Sequence, residues 1–459
     1  MKLKFLILWF VLCISVPLLA QNDTLTFKMV DAQTSQYYLQ KDWRNLISVA
    51  KAAIKQNIDY YYLRLRLGIA YFEIQHYGQS IPHFEKALEM SPNDDLSTEY
   101  LYYAYKYTQN DIDALIVLNN STSKWAKKLI DDQSIFENFF MFGVSRVSQN
   151  TGLSEQYKQS FHKALQMAKS PIYSEQFTAE KYFNIQLGGT IRLSPKWRTT
   201  VSFQNFRLEN HQIVYDPFLM HENTNKVRQN QIQLNNYFRL ADRLKMGVYF
   251  SYLSSTFNFI EVNSKVAPPI FENIDANLKQ FLLGLFVDKS WSHLEFYFGA
   301  NLLTTPERPS FQSDLYLSYF PMANRKLLYT TGISYLKNKH PESSFVLHQK
   351  LKVQLLKPLW LDLEAHWGDM SDWSSDQGYI IYNSIFDVNT VYHLGVNIKL
   401  TKKMYLNLAY EYLTQGSEIK TKSLLIENAD DQPELYETIK FNTHSIIGGL
   451  IWNFLNNGL

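Results

Sequence analysis

A single cysteine occurs in the 459 residues, and it is Cys13, inside an apolar stretch that reads as a leader. Beyond residue 20 the chain therefore has no disulfide, no thiolate metal site and no cysteine nucleophile. Charge of one sign is also missing. With 45 Lys and Arg against 43 Asp and Glu the net charge is +2, so there is no electrostatic case for nucleic-acid binding. No apolar run after the leader is long enough for a helical span, and the mean hydropathy of −0.26 excludes a helical membrane protein. That value remains compatible with a barrel whose inner face is polar. There is no G-x-S-x-G, no H-E-x-x-H and no Walker glycine loop.

What the chain has in excess is aromatic residues, 31 Tyr and 30 Phe. It also opens like a secreted protein. Lys2 and Lys4 precede an apolar run from Phe5 to Leu19, and Ala20 offers a cleavage point, so residues 1–20 are expected to be a signal peptide.

A helical segment is expected over 21–130. Its core holds Leu67, Gly68, Tyr71, Ser80, Phe84, Ala87, Leu88 and Pro92. Shifting by 34 residues maps Tyr71 onto Tyr37 and Tyr105, and Leu67 onto Leu101, which predicts about three stacked helix pairs with degenerate outer units. From about residue 131 the hydrophobic period changes to two. The hairpin around 391–412 shows it best: Tyr392, Leu394, Val396, Ile398 and Leu400 alternate with His393, Gly395, Asn397 and Lys399. After Thr401-Lys402-Lys403, Leu406, Leu408, Tyr410 and Tyr412 alternate with Asn407, Ala409 and Glu411. Only an extended strand with two different faces needs such a pattern.

Counting such stretches predicts about fourteen strands, the first and weakest near 139–147. Short turns are expected near 194–196, 241–243, 289–290, 323–325, 357–358 and 401–403. Long loops are expected near 150–180, 208–226, 262–276, 303–311, 337–344, 369–386 and 415–436. Alternating short and long connections describe an outer-membrane barrel with periplasmic turns. An even strand count returns the chain to the side of the helices. Backbone groups in lipid must all be paired, which requires the sheet to close. The predicted fold is thus α + β and multidomain: tetratricopeptide-like helical repeats, then an antiparallel transmembrane barrel over 131–459.

Opposite the apolar rows lie Glu295, Tyr297, Lys350, Lys352, Trp360, Asp362, Glu364, His366, His393, Asn397 and Glu411, the candidate lumen-lining residues. So many ionisable groups suit a wet lumen rather than a soluble core. Asp362, Glu364, His366 and His393 form the densest ionisable cluster. The reading taken is charge pairing across strands, with no catalytic, metal or cofactor site. Basic residues gather at the short-turn end, where the reading is simple solvation. The helix-like stretch within 150–180 is the expected plug.

The segment around Leu67-Gly68-x-x-Tyr71 resembles the tetratricopeptide repeat, with Arg64 where that pattern has Trp. Leader, repeats and barrel together resemble outer-membrane proteins that export exopolysaccharides, and more closely the short repeat-plus-barrel envelope proteins of Bacteroidota. The resemblance implies residence in the outer membrane, in contact with its lipid, with periplasmic repeats that bind a protein or peptide. The expected function is a non-enzymatic pore or docking platform for a glycan or other hydrophilic solute. The alternatives are an anchor whose repeats recruit periplasmic machinery, and a barrel enzyme acting on lipid or surface glycan.

Overall fold

The computed structural model describes residues 25–131, 134–149, 172–215, 220–263, 270–304, 309–337, 343–370, 372–382, 387–423 and 436–454, with isolated positions between 159 and 166. Residues 1–24, which include the expected signal peptide, and 455–459 lie outside them.

Seven helices come first among the described residues: α1 Phe27–Gln40, α2 Trp43–Lys55, α3 Tyr61–Glu73, α4 Tyr77–Met90, α5 Asp95–Tyr107, α6 Asp111–Asn120 and α7 Lys124–Asp131. None is long and apolar enough to cross a membrane. Side-chain oxygens of Thr26, Asp42 and Asp94 accept the N–H of Met29, Asn45 and Ser97, so three helix starts are capped by the residue types that cap best. Apolar residues on facing sides then bury each other. Leu63, Leu67, Ala70 and Tyr71 close on Val30, Leu46 and Ala50. Ile81 and Phe84 close on Leu101, Ala104 and Tyr105. Leu67, Gly68, Ser80, Phe84 and Ala87 are all buried, whereas Pro92 stands beyond the end of α4.

Sixteen strands follow: β1 Phe136–Gln149, β2 Ile172–Ser194, β3 Trp197–Tyr215, β4 Met220–Ala241, β5 Leu244–Asn263, β6 Ile270–Ser290, β7 Leu294–Leu303, β8 Ser310–Tyr319, β9 Leu327–Lys337, β10 Ser344–Leu356, β11 Leu359–Gly368, β12 Ser374–Ser375, β13 Ile380–Ile381, β14 Asp387–Lys399, β15 Met404–Ser423 and β16 Tyr436–Asn453. All but β12 and β13 form one closed antiparallel barrel of fourteen strands, sealed by β1 against β16. On its outer surface Leu283, Leu285, Phe296, Phe298, Leu315, Leu317, Leu347, Leu394 and Leu408 are between 37% and 56% exposed. A continuous uncovered apolar row around a closed barrel is the outer face of a membrane-spanning wall.

Several of the expected long loops are strand. β3 runs to Tyr215 and β4 begins at Met220, and β5 and β6 are separated only by residues 264–269. A bilayer needs about ten residues per tilted strand, but β2, β4 and β6 have 23, 22 and 21. Above the lipid the outer face need not be apolar, so the hydrophobic alternation stops while backbone pairing continues.

The helices dock on the short-turn end. Asp113, 1% exposed, accepts from Arg239 Nε at 2.6 Å and from the Arg243 backbone N–H at 3.3 Å. Arg243 reaches Glu85 at 3.4 Å, and Arg325 Nε donates to the Thr108 carbonyl at 3.0 Å. The Gly78 N–H donates to the Ala323 carbonyl at 2.7 Å, and a Cβ there would lie 2.5 Å from the Ser292 carbonyl oxygen. Only glycine lets α4 approach the turns this closely. Much of the basic rim, read from sequence as solvated, is therefore interface.

Candidate functional site

The lumen is occupied. Residues 369–382, leading off β11, fold back inside the barrel as a plug built around β12, a 3-10 turn at Asp376–Gly378 and β13. An apolar anchor holds one side: Met370 and Trp373, 0% and 1% exposed, pack on Leu336, Val346, Val388, Val391 and Leu413 of the inner wall. Trp373 stacks on His348 with centroids 5.1 Å apart and on Tyr382 at 5.3 Å. Amides hold the other side. Gln231 and Gln233 donate to the Gly378 and Gln377 carbonyls at 2.9 and 2.8 Å, and Tyr237 donates to the Gln377 side chain at 2.9 Å. Between them, Asn301 donates to Ser374 Oγ at 3.0 Å, and Gln312 both accepts from the Ser374 N–H and donates to its carbonyl. Asp376 and Gln377 take positive φ, and Gly378 sits at +86°, where a side chain is strained. The plug thus bridges β9–β11 and β14–β15 on one wall to β4–β8 on the other.

The plug expected within 150–180 falls almost wholly outside the described residues, although Phe161 is buried against Tyr215 at 5.3 Å. The available signal in 369–386 was its apolar content, Met370 and Trp373 among Asp and Ser and then Tyr379, Ile380, Ile381 and Tyr382, which is unusual for a solvated loop. A second signal was the break in strand alternation at Val346, Val391 and Leu413, apolar residues on the parity opposite the lipid-facing row; Val388 shares that row's parity and turns inward through the irregularity before Thr390.

Above the plug lies a cavity of about 500 Å³. Phe177, Phe206, Leu208, Val227, Phe257, Phe259 and Leu278 line it, with Ile380, Ile381 and Tyr382 of the plug. Its charges come in opposite signs. Arg146 pairs with Glu411 at 2.8 Å, donates to Ser445 Oγ at 2.8 Å and lies 4.5 Å over the Tyr182 ring. Glu175 accepts from Gln212 at 2.6 Å, and Lys181 stands in the same wall. The sequence reading did not single out the apolar lining or Arg146.

Most of the candidate lumen residues meet in one belt across β10, β11, β14 and β15. Lys350 pairs with Glu364, and Lys352 with Asp362 at 3.5 Å. Asn397 donates to Asp362 and accepts from Asn407. Trp360 lies across from Asn397, and His393 lies across from both Glu364 and Glu411. His366 Nε2 stands 3.8 Å from Glu364. Glu295 and Tyr297 sit apart on β7: Glu295 pairs with Arg325 at 2.6 Å, and Tyr297 stacks on Phe286 at 5.5 Å. Among the described residues no three His, Cys, Asp or Glu side chains are grouped to hold a metal ion.

No family model and no curated protein matches the chain. Among solved structures it is similar to a FadL homologue of Pseudomonas aeruginosa, at 7% identity over 69% of this chain and 90% of that one, with a TM-score of 0.43. It is similar to the toluene transporter TodX of Pseudomonas putida at 12% identity over 71% and 91%, with a TM-score of 0.32. The outer membrane protein Omp33 of Acinetobacter baumannii is matched at 9% identity over 70% and 100%, with a TM-score of 0.31. With every score below 0.5, what this lumen can do has to be read from its own side chains.

Proposed function

We propose that the chain is an outer-membrane barrel that passes a mainly apolar, uncharged solute through a lumen closed at rest by residues 369–382. The cavity above the plug carries this reading. Aromatic and aliphatic side chains form about half of its wall, with amides such as Asn184, Gln204 and Gln229 between them, and Arg146 and Glu411 neutralise each other. Such a site favours a solute with an apolar body and a few hydrogen-bonding atoms. A glycan would find amide partners here but sheds little apolar surface, so the Phe and aliphatic half of the wall favours the apolar solute. Purified protein in detergent should bind a neutral naphthalene probe with a rise in probe fluorescence. Phe206→Glu, which places an unpaired charge in the wall, should lower that affinity about ten-fold or more. Equal affinity in both proteins, or competition by a soluble oligosaccharide but not by toluene, would sink the reading.

The helices support a second role beside the first. Their buried Leu67, Gly68, Tyr71, Ser80, Phe84 and Ala87 fit tetratricopeptide-like pairs lying in the periplasm. With α4 and α6 committed to the barrel turns, the remaining faces are offered to a periplasmic protein or peptide. Capture by the intact protein of no periplasmic partner, under conditions that preserve the barrel, would remove that role.

A further inference from the structure

We propose that the outer face of β3–β6 docks an anionic phosphorylated lipid of the outer leaflet. Its headgroup phosphate would sit on Arg207 and Arg228, and its acyl chains on the apolar row beneath them.

Strand register sets out this surface row by row. Phe206 and Leu208 of β3, Val227 and Gln229 of β4, Phe257 of β5 and Leu278 of β6 line the cavity, so their sequence neighbours face outwards. Phe203, Ile232, Tyr252 and Phe281 lie side by side as one outward row. The next row up is Asn205, Asn230, Ser254 and Lys279, and above it Arg207 lies across from Arg228. Lys226 stands one row higher, across from Glu209. At about 3.3 Å per residue and a tilt near 40°, Arg228 is roughly 33 Å above Ala241 at the short-turn end. The apolar band of such a wall is about 25 Å tall. These cations therefore stand where acyl chains give way to headgroups.

Among the described residues nothing answers their charge. Arg207 and Arg228 are direct cross-strand partners, an arrangement in which like charges repel. Arg207 spends only Nε, on Asn205 Oδ1 at 3.3 Å, and the side chains of Arg228, Lys226 and Lys279 make no hydrogen bond or ion pair among the described residues. Asn205 donates to Asn230 at 2.8 Å, which fixes the floor beneath the two guanidinium groups. The acids of this face stand higher. Glu209 lies between Lys181 and Lys226 in register, one carboxylate for two lysines, while Glu222 faces His211 at 3.7 Å. Two guanidinium forks side by side match a phosphate, whose oxygens take paired N–H donors. A soluble anion would need the charges alone. Directly below them Phe203, Ile232 and Phe281 are 44%, 53% and 44% exposed, and Phe183 flanks Arg207 on β2. That apolar seat continues the charged one, so a single lipid satisfies both with its head and its chains.

Lipid binding to the intact protein in maltoside micelles tests this, read by native mass spectrometry as lipid retained on the barrel. The probes are dioleoyl phosphatidic acid, dioleoyl phosphatidylcholine, whose choline offsets the phosphate charge, and inorganic phosphate as competitor. The parent should bind phosphatidic acid at least about ten-fold tighter than phosphatidylcholine, and millimolar inorganic phosphate should not displace it. Arg207→Gln combined with Arg228→Gln should bring the two lipids within about two-fold of each other. Lys402→Gln combined with Lys403→Gln, at the short turn between β14 and β15, should keep the parent's preference. Both double variants change exposed side chains, and heat-resistant migration checks that each barrel is folded. A parent that does not distinguish the two lipids overturns the proposal. So does a preference kept without Arg207 and Arg228, or one lost equally without Lys402 and Lys403. Displacement by inorganic phosphate would show a soluble-anion site and overturn lipid docking.

Discussion

Asp113 shows what one buried carboxylate does here. It is 1% exposed, neutralises Arg239 and caps the Arg243 backbone, so it ties α6 to the turn between β4 and β5. Asp113→Ala removes the buried partner of Arg239, leaving it only the exposed Asp242, and uncaps the Arg243 N–H, which costs about 1–3 kcal/mol. The expected result is rapid protease cleavage within α4–α6 while the barrel keeps its heat-resistant migration; unchanged cleavage would show that the pair does not hold the docking. His83 adds a pH dependence. Burial, with Arg64 beside it at 3.0 Å, pushes its imidazole down to about 4. The unfolded side chain titrates near 6.5, so the unfolded state binds the extra proton between those values. Stability from burying neutral His83 is complete above about 6.5 and is lost as pH falls to 4, by about 3 kcal/mol at most. The denaturant midpoint of the helical circular-dichroism signal should fall over that window in the parent and much less in His83→Gln.

Among the elements, the strands were legible and the plug was not. A wall facing lipid on one side and water on the other imposes period two, and rows such as Leu283 and Leu285, or Leu394 and Val396, carry it plainly. That pattern stops where lipid stops, which is why the outer halves of β3–β6 read as loops. The plug has no period at all. Its place depends on where Met370 and Trp373 find an apolar seat and on which amides meet its carbonyls, facts of tertiary packing that neither spacing nor composition encodes. The lumen belt was half legible: Glu364, His366 and His393 were singled out together, but His348 and Asp314, which complete the chain to the plug, drew no notice as lone polar residues on separate strands. Gly378 tests the plug's conformation. At φ +86°, with Leu282 2.5 Å from where a Cβ would stand, Gly378→Val is strained by about 1–2 kcal/mol. Amide exchange over 372–382 should rise about ten-fold; no change would mean that the turn does not constrain the plug.

At the scale of the whole molecule, two closures lie in series: helices latched to the turns at one end, and a folded loop within the lumen. At the docked end Arg239 meets Asp113 of α6, Arg243 meets Glu85 of α4 and Arg325 meets the Thr108 carbonyl, so part of the basic rim is neutralised by the helices. Between wall and plug sits an apolar cavity in a barrel wide enough to leave a passage if the plug moves. The most direct measurement of that arrangement is single-channel conductance at neutral pH, parent against the protein with residues 369–382 replaced by a short turn. A silent parent beside a replaced protein with steady open-channel current is what a plugged barrel gives; equal currents from the two would contradict it.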